Sequence, residues 1–167
     1  KQTECETRGR GSGSRQNEEE MRDIRYIAVH CTASNQMTTI RGLEMEFKRK
    51  GWKNPGYHYV VSADGVVHQM LDEERVSNGV KGWNSKLINV AYIGGIDATG
   101  KATDNRTEAQ KKSLRALLKL LRSRYPKAVI RGHRDFSPDL NGDGKITRNE
   151  WIKACPCFDA GEEYKDI

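Results

Sequence analysis

Two imidazoles and a thiol open the reading. His30, His133 and Cys155 offer nitrogen and sulfur donors. Zinc takes these donor types, and a catalytic zinc keeps its fourth position open for water. The three residues lie far apart in sequence, unlike the ligands of a zinc finger, so only a fold could gather them. Lys153, Cys155 and Cys157 alternate along one run. In an extended segment all three point the same way, which leaves Cys157 as a rival ligand. A second cluster is local. Asp139, Asn141, Asp143, Lys145 and Glu150 fall at positions 1, 3, 5, 7 and 12 of an EF-hand-type loop, with Gly144 at the sharp turn. Such oxygen ligands suit Ca²⁺. Ser137-Pro138 stands where the incoming helix of an EF-hand would be, so a plain polar turn is the competing reading.

The elements that must position these groups follow from periodicity. Ile24–His30 is a short apolar run rich in β-formers, which predicts a buried strand ending at His30. Thr39–Lys50 carries Ile40, Leu43 and Phe47 at helical spacing and stops at Gly51. Tyr57–Ser62 and Val66–Leu71 flank Ala63-Asp64-Gly65 as a hairpin. Ile88–Ile93 predicts another strand. Thr107–Tyr125 predicts the longest helix, with Leu114, Leu117, Leu118, Leu121 and Tyr125 on one face and Pro126 as its stop. Ala128–Arg131 is a last strand running into His133. Alternating strands and helices predict an α/β fold, a mixed central sheet flanked by helices. His30 and His133 then sit at strand ends, where such folds place their sites.

Composition bounds the rest. The chain has 167 residues with 29 Lys+Arg against 23 Asp+Glu, a formal net charge of +6. Residues 1–22 lack Ile, Leu, Val, Phe, Trp and Tyr, and hold Gly9, Gly11, Ser12, Gly13 and Ser14. They read as a flexible tail ahead of a single domain over 23–167. Their five basic and five acidic residues cancel, so the positive charge belongs to the domain. No apolar run approaches the roughly 20 residues of a membrane span. No signal-peptide pattern opens the chain, which reads as a processed product. Four Cys, one of them Cys5 in the tail, make no disulfide framework. Lys111, Lys112, Arg115, Lys119, Arg122 and Arg124 give the long helix a basic outer face. No nucleic-acid motif accompanies them, so the expectation is attraction to an anionic surface other than nucleic acid.

Several stretches together resemble the zinc-dependent N-acetylmuramoyl-L-alanine amidases and peptidoglycan recognition proteins. They are VHCTAS (29–34), GYHYVVSADG (56–65), KGWNS (81–85), VAYIGG (90–95), RGHRD (131–135) and KACPCFD (153–159). The resemblance spans about residues 24–160. It implies a single-domain amidase-like fold, with His30, His133 and Cys155 as zinc ligands and Tyr57 and Lys153 as catalytic side chains. It favours Cys155 over Cys157, because the family's ligand stands immediately before Pro. It implies cleavage of the amide between N-acetylmuramic acid and L-alanine of bacterial peptidoglycan, in a cell-wall setting such as an endolysin or an autolysin. Lys153 and the Tyr57 hydroxyl would face the developing oxyanion, and the donor of the leaving amine's proton stays open. A peptidoglycan-binding protein without catalysis is the alternative. A monomer with no membrane partner is expected. His58 is read as a supporting group rather than a ligand, and His68 as outside the site. The family's His ahead of the KGWN-like run is absent, and Ser77-Asn78-Gly79-Val80 stands there instead.

Overall fold

The structure is a computed structural model and describes residues 22–167. Cys5 and the Gly/Ser-rich run lie outside the described residues. Five strands form one sheet: β1 (Tyr26–Cys31), β2 (Tyr59–Val61), β3 (Val67–Gln69), β4 (Leu87–Tyr92) and β5 (Val129–Gly132). Three α-helices accompany them: α1 (Ile40–Arg49), α2 (Glu108–Arg124) and α3 (Ala160–Glu163). The strand order is β3-β2-β4-β1-β5. All neighbours run parallel except the β2–β3 hairpin. This is the mixed, helix-flanked sheet expected from the sequence.

The central strands β1 and β4 are covered on both faces. Parallel strands in that position read as continuous apolar runs rather than alternations, and every residue of β4 is buried. One face carries Ile27, Val29 and Cys31 of β1 with Ile88, Val90 and Tyr92 of β4, packed under Leu114, Leu117, Leu118 and Leu121 of α2. The other carries Val60, Ala91 and Ile93 against Leu43 and Phe47 of α1. The period-two alternation puts His30 and Asn89 on this second face, towards the groove. Helix ends follow their caps. Thr39 Oγ1 accepts from the Gly42 N–H at 3.0 Å to start α1, and Thr107 with Gln110 forms a reciprocal capping box for α2.

Two expectations change in detail. The basic face of α2 is not a row of six solvated charges. Lys111 pairs with Glu108 at 3.4 Å, Arg115 with Asp166 and Arg124 with Glu73. Arg122 donates to the Ala128 carbonyl at 2.7 Å. Several of these charges therefore tether neighbouring segments, each exposed pair worth up to about 1 kcal/mol. Arg22, read with the tail, is docked. Its guanidinium donates to the carbonyls of Glu73, Arg75, Asn84 and Leu87 at 2.6–2.8 Å. Further on, Arg106 bridges Asp104 and Glu163 and stacks 3.4 Å from the Phe158 ring centroid. That braces the chain just after Cys155.

Candidate active site

Sheet register brings the two histidines together. β1 and β5 are parallel neighbours with Val29 opposite Gly132. His30 and His133 each follow one residue later, at the carboxyl end of the sheet. Their Nδ1 atoms lie 3.2 Å apart. Cys155 arrives from the C-terminal segment, and its sulfur accepts the Cys31 backbone N–H at 3.0 Å. Ligand atoms of His30, His133 and Cys155 all lie within 4.8 Å of one another. Two facing imidazole nitrogens need either a shared proton or a cation between them, and His₂Cys is a zinc-type donor set with a position to spare. The residues therefore fit a metal.

Burial keeps the imidazoles neutral. His30 is 1% exposed. Its pKa is pushed down to about 4 by loss of solvent, against a hydrogen bond to Asn89, with Lys153 lowering it further. His133 goes down to about 3 by burial, then by the neighbouring His30 and Lys153. Neutral imidazoles offer lone pairs to a metal. The other two thiols of the cluster stay protonated. The Cys31 pKa rises to about 12, chiefly through its contact with Cys155 and through burial. Cys157 is pushed up by Cys31 and by desolvation.

Cys157 does not point with Cys155. Its φ of 73° breaks the extended alternation, its N–H closes a turn onto the Ala154 carbonyl at 2.8 Å, and its thiol faces the Gly95 carbonyl at 3.5 Å. The backbone is not extended between Cys155 and Cys157, so simple two-residue spacing misplaces the second thiol. Cys31 packs into the core, and Gly95 makes room for it. A Cβ at Gly95 would fall 2.5 Å from the Cys31 sulfur, at a φ of +98°.

Tyr57 and Lys153 meet the same cavity, a space of about 220 Å³ that also touches His30, His133 and Cys155. The Tyr57 ring centroid is 5.2 Å from that of His30, and its hydroxyl donates to the Cys31 carbonyl at 3.4 Å. Burial, with the thiols of Cys155 and Cys31 nearby, holds its pKa well above the ordinary tyrosine value, so it keeps its proton. From here a groove of about 540 Å³ runs past Trp52, Gly79, Lys81, Phe136, Ile152 and Lys153.

Asn89 had no place in the sequence reading, and Ser77 appeared only in the run that replaces the family's His, yet Asn89 contacts His30 and Ser77 stands behind Asn89. Asn89 Oδ1 lies 2.8 Å from His30 Nε2, and Asn89 Nδ2 lies 2.7 Å from Ser77 Oγ. The available signal was one carboxamide inside the otherwise apolar run Leu87–Tyr92. His58 is buried beside Ser77, not among the metal-facing groups. His68 contacts Ser62 at 3.1 Å, away from the site.

The acidic loop also converges. Carboxylate oxygens of Asp139, Asp143 and Glu150 lie within 4.8 Å of one another. These groups already cap their own backbone. Asp139 accepts from the Gly142 and Gly144 N–H groups at 3.1 and 2.8 Å. Glu150 accepts from the Thr147 N–H at 2.9 Å, which with further N–H donors lowers its pKa. Asn141 and Asp143 turn to N–H groups two residues on. Short 3₁₀ turns, His133–Phe136 and Arg148–Glu150, flank the loop in place of EF-hand helices.

The family model for N-acetylmuramoyl-L-alanine amidase matches residues 20–156. The endolysin of Escherichia phage T7 is 38% identical over 135 residues, covering 80% of each chain. Among solved structures, the Ph2119 endolysin from a Thermus scotoductus bacteriophage aligns with a TM-score of 0.64 and 26% identity, over 86% of this chain and 83% of that one. A bumblebee peptidoglycan recognition protein, PGRP-SA, shares the fold at a TM-score of 0.63 with 17% identity, over 86% and 81%.

Proposed function

The chain belongs to the N-acetylmuramoyl-L-alanine amidase family, and from that premise we propose that His30, His133 and Cys155 hold a zinc ion with which Tyr57 and Lys153 act. The protein is a peptidoglycan amidase, cleaving the bond between N-acetylmuramic acid and L-alanine of the stem peptide. The carrying observation is the convergence of the His₂Cys donors at the carboxyl end of the sheet. Zinc in such a set polarises a carbonyl and lowers the pKa of water towards neutrality.

The chain's own groups do the rest. Lys153 offers an ammonium to the amide oxygen as it gains charge, a contribution typically of about 10²–10³ in rate. Tyr57, held protonated by burial, donates its hydroxyl to the same oxygen or gives its proton to the leaving amine. Lys81 and Lys153 line the groove without a carboxylate among its walls, which suits stem peptides that carry negative charge. No helix among the described residues is long and apolar enough to cross a membrane. The cell wall is where such a substrate lies.

Mass spectrometry of digested peptidoglycan tests this reading. Free stem peptides with an L-alanine amino terminus are expected, lost with a zinc chelator and restored by zinc. Wall binding without any released peptide would favour the non-catalytic alternative.

The convergence of Asp139, Asp143 and Glu150 supports a second metal reading, Ca²⁺ bound by the loop together with Asn141 and the Lys145 carbonyl. A calcium titration followed by thermal melting checks it.

A further inference from the structure

A buried polar chain runs behind His30, and its proton directions can be worked out from one end. It begins at the Arg75 carbonyl, 2.7 Å from His58 Nε2. A carbonyl only accepts, so Nε2 carries the hydrogen. Arg22 Nη1 lies 3.3 Å from the same nitrogen, but its two hydrogens go to the Glu73 and Arg75 carbonyls at 2.7 and 2.8 Å, so it does not claim a lone pair on Nε2. His58 Nδ1 accepts the Asn89 backbone N–H at 3.0 Å, so it is the bare nitrogen. Ser77 Oγ lies 3.1 Å from Nδ1 and 2.7 Å from Asn89 Nδ2. Its single hydroxyl hydrogen turns to His58 Nδ1, sharing that lone pair with the Asn89 N–H, and its oxygen accepts from the Asn89 amide. Asn89 must then present Oδ1 to His30 Nε2 at 2.8 Å. That leaves His30 with its hydrogen on Nε2 and its lone pair on Nδ1, the atom facing His133.

The path is closed to bulk solvent. His58, Ser77 and Asn89 are 0% exposed. The groove side is closed by Gly79, where a Cβ would fall 2.4 Å from the Asn89 carboxamide.

We propose that Arg75 carbonyl–His58–Ser77–Asn89 is a directional hydrogen-bond chain that fixes the tautomer of His30 and so presents its Nδ1 lone pair to the metal. The proposal rests on the zinc reading above. Asn89 and Ser77 are positioning residues, neither touching substrate nor metal. A partner on the far nitrogen of a metal-binding imidazole is commonly worth 10–100-fold in metal affinity.

The test uses the full chain with ¹⁵N-labelled histidine, prepared metal-free at pH 7.5, with His68→Gln and His133→Ala variants for assignment. His30 is expected as the Nε2–H tautomer, and an Nδ1–H or evenly mixed His30 overturns the proposal. Ser77→Ala and Asn89→Leu are expected to mix the His30 tautomers and weaken zinc binding, measured by chelator competition, by about 10–100-fold. A merely structural role would lower the melting temperature and leave both readouts unmoved, which overturns it. Zinc stoichiometry keeps the two ideas apart. Wild-type protein that takes no zinc overturns the ligand reading and the chain's purpose with it. Zinc-binding wild type with unchanged affinity in both variants overturns the chain alone.

Discussion

The two metal-type clusters of this protein are built in opposite ways. His30, His133 and Cys155 come from β1, the end of β5 and a C-terminal turn, and meet in a largely buried pocket. Asp139, Asp143 and Glu150 come from one twelve-residue loop, mostly exposed, whose carboxylates turn onto their own N–H groups. The first cluster is backed by the sheet, with Asn89 holding the far nitrogen of His30. The second must trade hydrogen bonds with its own backbone for a cation. Pre-organisation by a rigid scaffold is what distinguishes a site suited to chemistry from one suited to bracing a loop.

The sharpest break of this contrast is Cys155→Ser against Asp143→Asn. The first should abolish stoichiometric zinc and release of stem peptide; the second should leave turnover within a few-fold of wild type, about 1 kcal/mol or less in barrier. Loss of turnover in both variants would mean that the loop belongs to the catalytic machinery. Next comes Lys153→Ala, expected to lower kcat by about 10²–10³ while zinc content stays full. A variant that kept wild-type kcat would remove Lys153 from the reaction.

Mild acid, between pH 7 and 5, should act chiefly on the buried side. Burial lowers the pKa of His58 to about 4, below the unfolded value of about 6.5. The unfolded chain then binds more protons, so this stability is full above pH 6.5 and is lost as pH falls towards 4. His30 and His133 shift in the same direction. Urea unfolding of metal-free protein should show stability falling by up to about 1.4 kcal/mol per pH unit for each such histidine. A flat profile from pH 7 to 5 would contradict the neutral, buried imidazoles. The smallest effect is expected from the loop. Calcium at a hundredfold excess over its Kd should add about 2.7 kcal/mol, a rise in Tm of several degrees. An unchanged melting curve would leave the loop as a self-capped turn.

Much of the frame was legible in the residues. The apolar runs of β1 and β4, the face of α2 and the hairpin around Gly65 each lie where their periodicity put them, because local pattern and burial agree there. The acidic loop was legible for the same reason, since its ligands are neighbours in sequence. The basic face of α2 was legible as charge but its tethers were not, because Asp166, Glu73 and the Ala128 carbonyl reach it only in three dimensions.

The sequence by itself determined which residues could take part: the donor types at 30, 133 and 155, and the strand-end setting of the two histidines. Tertiary structure decided how they meet. The Val29–Gly132 register sets His30 beside His133. A left-handed Cys157 turns the rival thiol away. The Arg75–His58–Ser77–Asn89 chain becomes continuous only when residues 12 to 31 positions apart are packed behind one strand. Spacing along a chain fixes direction only while the backbone stays regular. Long-range hydrogen bonds carry no local period, so their partners become visible only in the folded molecule.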